Sequence, residues 1–60
     1  MTYMIIDSRG NAIDSFETFR LAVGVLKMIV EHEPEAKDEL VIVEYDSKGH
    51  AINACKYEDL

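Results

Sequence analysis

Two short apolar runs, Tyr3-Met4-Ile5-Ile6 and Leu40-Val41-Ile42-Val43, stand at either end of a longer apolar segment with helical spacing. Each short run is rich in residues that favour extended backbone, and each leads into the same kind of polar turn. Asp7-Ser8-Arg9-Gly10-Asn11-Ala12-Ile13 recurs as Asp46-Ser47-Lys48-Gly49-His50-Ala51-Ile52, identical at five of the seven positions. An aspartate opening a turn accepts backbone amides two residues on, and a glycine in the fourth place takes the left-handed conformation that closes a type I turn with a bulge. The pattern therefore predicts hairpins turning at residues 7–10 and 46–49. A ligand loop built on Asp-Ser-Arg-Gly and Asp-Ser-Lys-Gly needs a further assumption that turn chemistry does not.

Between the hairpins the spacing predicts a helix over 19–32. Thr18 is the preferred N-cap, with Asp14 to Glu17 the alternative start, and Pro34 cannot continue the helix. That start leaves Asn11 to Glu17 for a second strand and Phe16 as an apolar anchor outside the helix. Glu33 to Glu39 reads as a solvated loop, with no further helix after the second hairpin. The sum is a single α+β domain over 1–60, ββαββ, in which four antiparallel strands in the order 2-1-3-4 carry one helix on one face. The apolar runs take the centre; the more polar second and fourth strands take the edges.

The helix is apolar around more of its circumference than one sheet can cover. At 100° per residue, Arg20, Gly24, Lys27 and Glu31 share a narrow arc. Phe19, Ala22, Val23, Leu26, Ile29 and Val30 form the stripe expected to face the sheet, and Leu21, Val25 and Met28 lie beyond it. The apolar arc spans about 220°. The central strands likewise send apolar side chains to both faces, whereas one helix covers only one. Exposing three to five large side chains at about 1.5–3 kcal/mol each is a large fraction of the stability of so small a domain. A homodimer is the economical cover, because two-fold symmetry supplies the matching patch. Leu21, Val25, Met28, Tyr3, Ile5 and Val43 are the candidate interface residues. Sheet twist and the chain end, with Tyr57 and Leu60, are the competing cover.

Charge narrows the partners. Twelve acids against six bases give a net charge of -6, which repels the phosphate backbone and argues against direct nucleic-acid binding. Glu31, Glu33, Glu35, Asp38 and Glu39 cluster around the helix end, a candidate patch for a basic partner. One version is a charge-mimicking inhibitor of a nucleic-acid-binding protein; ordinary solubility is the simpler explanation. A single cysteine forms no intrachain disulfide, the N-terminus lacks a secretory pattern, and no apolar run reaches the roughly 20 residues of a membrane span. These features point to the cytoplasm, with no membrane partner, and to a small free-standing bacterial or phage-like protein.

Catalytic and metal-binding signals are weak. Cys55, His32 and His50 have no spacing that links a nucleophile to a base or gathers zinc ligands, so no metal or cofactor is expected. Carboxylate pairs such as Glu31 with Glu35 lack an apolar pocket motif around them. Gly24 in mid-helix marks either close approach of another backbone or a tolerated surface position. The leading expectation is a non-enzymatic regulatory or interaction module that self-associates. A small enzyme assembled at a dimer interface from His32, His50 or Cys55 is the weakest alternative.

Overall fold

A computed structural model describes residues 1–60. Strands β1 (Thr2–Ile6) and β2 (Ala12–Phe16) form the first hairpin, α1 spans Phe19–His32, and β3 (Val41–Tyr45) with β4 (Ala51–Lys56) forms the second. The sheet order is β2-β1-β3-β4, and every neighbouring pair is antiparallel. The domain is thus the expected ββαββ arrangement of the α+β class.

The repeated turns share their chemistry as well as their sequence. Gly10 and Gly49 adopt φ of 85° and 84°, a conformation that costs glycine nothing and a side-chain residue much more. Their amides donate to the carbonyls of Asp7 and Asp46, each at 3.1 Å. Both hairpins carry a register shift at the same place, opposite Ile5/Ile6 in the first and Glu44/Tyr45 in the second. Ile13 and Ile52 are the unpaired residues there, and both are about half exposed.

The repeat also organises the whole sheet. Corresponding residues lie 39 apart, as Asp7 does from Asp46. Shifting the β1–β2 register by 39 reproduces the β3–β4 register: Tyr3 opposite Phe16 becomes Ile42 opposite Cys55, and Ile6 opposite Ala12 becomes Tyr45 opposite Ala51. In the central pair Met4 faces Val43, and these two residues are each other's repeat equivalents. A pseudo-two-fold axis normal to the sheet therefore passes between them.

Thr18 caps α1, its hydroxyl accepting the Leu21 amide at 3.2 Å. Ala22, Leu26 and Val30 are buried and pack with Ile5, Ala36, Leu40 and Ile42 into one core. Tyr3, Phe16, Val23, Val25, Ile29 and Tyr57 pack around its margin. Phe19 is an exception to the expected stripe: at 41% exposure it lies at the rim, its ring edge-on to Tyr3 with centroids 5.9 Å apart.

Two connecting segments depart from expectation. Pro34–Asp38 is a 3-10 helix rather than a featureless loop. Its Ala36 is 5% exposed, so an apolar residue in an otherwise polar run docks against the helix side of the core and draws the backbone into a turn. A second 3-10 turn, Tyr57–Asp59, follows β4, where Tyr57 folds back onto the core.

Candidate interaction surface

Cross-strand partners share a face of a sheet, and neighbours along a strand alternate between faces. Ile5 and Ile42 are partners in the core, so their side is the one covered by α1. Tyr3 and Glu44 point the same way. The opposite face is formed by Thr2, Met4 and Ile6 from β1, Val41, Val43 and Tyr45 from β3, Ala12 and Ser15 from β2, and Ala51, Ala54 and Lys56 from β4.

Nothing in the chain covers this outer face. Both 3-10 turns send their packing residues, Ala36 and Tyr57, to the helix-side core, and no outer-face residue belongs to that core or its margin. Met4, Ile6, Val41, Val43 and Tyr45 are each partly exposed and none is buried. Flanking alanines on the edge strands leave these five larger side chains as a central ridge.

Charge is distributed just as unevenly. Of the acids, only Asp14 and Glu44 lie within strands, and their partners Ile5 and Tyr3 put both on the helix side. The outer face therefore carries no carboxylate on its strands, and Lys56 is its one charged residue, in a chain of net charge -6.

The candidate residues named from sequence divide accordingly. Val43 lies at the centre of the outer face. Leu21 and Met28 are 55% and 52% exposed along one edge of the helix, on the other side of the molecule. Val25 is half-buried at the core margin: it lies about 60° around the helix from the buried Ala22, close enough to reach the core. Ile5 is corrected outright, since its side chain is 0% exposed and has no surface to offer a partner. Tyr3 faces α1 rather than the open side and packs at the core margin. The facing of both residues escaped the sequence for one reason: β1 is apolar at successive positions, so its inward and outward sets have the same composition and a one-residue choice reverses them. Met4, Ile6, Val41 and Tyr45 share the outer face with Val43, a placement that follows from alternation outward from Val43.

A cleft of about 190 Å³ opens on the helix side beside β4, lined by Tyr3, Phe19, Ile42, Glu44, Asn53, Ala54 and Cys55. Tyr3 donates its hydroxyl to Glu44 Oε2 at 3.2 Å. Partial desolvation first, and the adjacent Glu44 carboxylate second, hold that phenol above its ordinary pKa. The cleft thus contains a phenol hydrogen-bonded to a carboxylate, with the Cys55 thiol bonded to neither. The Cys55 Sγ contact is instead to the Lys56 carbonyl, at 3.6 Å.

The remaining candidates do not converge. His32 ends α1, His50 closes the second turn with Nδ1 3.5 Å from Asp46 Oδ2, and Cys55 is on edge strand β4. No group of three or more His, Cys, Asp or Glu residues is arranged to hold a metal ion. Glu31, Glu33, Glu35, Asp38 and Glu39 are all exposed. Lys37 and Lys56 line the groove that also holds Asp38 and Glu39, so positive charge interrupts the acidic patch. No helix is long and apolar enough to cross a membrane.

No protein-family model, curated protein or solved structure matches this chain.

Proposed function

We propose that this chain is a small acidic, non-enzymatic interaction module that works as a homodimer. The observation that carries the reading is the pair of uncovered apolar surfaces on opposite sides of so small a domain: the outer sheet face, and the helix edge at Leu21 and Met28. Only 7 of 60 residues are buried. The accessible surface is 4356 Å², against about 3,950 Å² for a compact monomer of this mass. The excess is about 400 Å², and covering exposed apolar side chains such as Leu21 and Met28 favours association.

Separate placement of His32, His50 and Cys55 supports a binding role over catalysis. One apolar surface joins two copies, and the exposed acids then remain outward, where they keep the dimer soluble and steer basic partners toward it. A reducing cytoplasm suits the unpaired Cys55.

Light scattering after size-exclusion chromatography, across about 10 to 500 µM, brackets the dissociation constants expected of a small interface. The expected mass rises toward twice the chain's 6.8 kDa. A mass that stays at one chain throughout contradicts the proposal.

A further inference from the structure

We infer that the second copy docks on the outer sheet face, sheet against sheet, with the Met4–Val43 pair at the centre of the contact. This rests on the self-association proposed above and chooses between the two surfaces left open there.

Three observations select the face and its occupant. First, a chain of net charge -6 must approach an identical chain, and every pair of acids brought together opposes that approach. The strands turn no carboxylate to the outer face, and the acids that border it, Asp7, Asp38, Glu39 and Glu58, lie off the strands in the groove beside Val41 and Lys56, whereas the helix edge at Leu21 and Met28 runs on to Glu31, Glu33 and the 3-10 segment. Second, an isologous contact needs a self-complementary patch. The pseudo-two-fold axis maps the outer face onto itself, Met4 exchanging with Val43 and Ile6 with Tyr45. The match is closest at the centre and weaker at the ends, where Thr2 exchanges with Val41, so overlap of apolar side chains is greatest when the two centres coincide. Third, the sheet edges are poor alternatives, because β2 and β4 each carry a register shift that interrupts the flat row of backbone groups needed for strand addition.

Four strands at about 4.8 Å spacing and five residues at about 3.3 Å each make a face of roughly 19 by 17 Å, or about 320 Å². Two such faces bury about 600 to 800 Å² in all, below the standard size of a tight complex, so the dimer exchanges readily and assembles in the micromolar range or above.

The test compares the masses of single variants by light scattering at a concentration where the parent chain is dimeric, with circular dichroism confirming that each is folded. Val43→Glu and Met4→Lys are expected to be monomers, while Leu21→Glu and Met28→Glu remain dimers. Val43→Thr keeps the branched shape and strand preference, so it carries the test if the charged variants do not fold. It is expected to raise the dimer dissociation constant at least about tenfold, since the polar group is buried twice in a symmetric pair. An equimolar mixture of Val43→Glu with Val43→Lys is expected to recover dimer, because the two positions lie near each other across the symmetry axis. A dimeric parent that is dissociated by Leu21→Glu or Met28→Glu, but not by the Val43 and Met4 variants, overturns this inference and leaves the homodimer standing. A parent chain that is monomeric throughout removes both.

Discussion

Asp7 and Asp46 occupy equivalent places in the two hairpins, and each uses one oxygen, Oδ1, to accept two backbone amides at 2.9 Å. The donors are Arg9 and Asn11 in the first turn and Lys48 and His50 in the second. Both carboxyls are held below their ordinary pKa, chiefly by the Asn11 amide for Asp7 and the His50 amide for Asp46, with desolvation opposing. A depressed folded-state pKa stabilises the fold above the unfolded value and loses that contribution as pH falls through the folded value.

Acid titration of Asp7→Ala and Asp46→Ala therefore has a defined sign. Each variant is expected to unfold at lower denaturant than the parent at pH 7, and the difference is expected to shrink as pH falls past the ordinary aspartate value and on through the depressed folded-state values of Asp7 and Asp46. Urea titrations at several pH values check this, at one protein concentration so that association does not enter the comparison. A gap that stays constant from pH 7 to strong acid means the carboxylates do not hold the turns by charge-assisted hydrogen bonds.

Gly24 makes a second prediction. A Cβ built there meets nothing within 4 Å, so close approach of another part of the chain, one of the two readings of a mid-helix glycine, is not its reason. Gly24→Ala is expected to stabilise the fold by about 1 kcal/mol, raising Tm by roughly 4–8 °C in a domain of this size. The variant's mass in solution should match the parent's, since Gly24 lies away from the sheet. A calorimetric Tm that falls, or a dimer that dissociates, would mean that the open side of α1 is itself an interface.

The legible part of this fold is local. The Asp-to-Ile repeat gave both turns because its aspartate and glycine have direct backbone consequences, and Thr18 and Pro34 bounded α1 for the same reason. Strand order followed from the contrast between Tyr3–Ile6 and the more polar Ala12–Phe16. Facing was not legible in β1, where Tyr3, Met4, Ile5 and Ile6 are all apolar and only pairing with Val43 and Ile42 tells outward from inward. Ala36 escaped notice because one small apolar residue among acids has no periodicity to mark it. The open face was foreseen as a surplus of apolar side chains, and its freedom from carboxylates emerges only once register sends Asp14 and Glu44 to the other side.

The most direct measurement of the central claim is methyl NMR with a soluble paramagnetic agent, comparing the two open apolar surfaces in one sample. At concentrations where the chain is paired, the methyl signals of Met4, Ile6, Val41 and Val43 are expected to be spared while those of Leu21 and Met28 broaden, and dilution should remove the protection. Equal broadening of Val43 and Leu21 in a sample of dimeric mass would contradict burial of the sheet face between two copies.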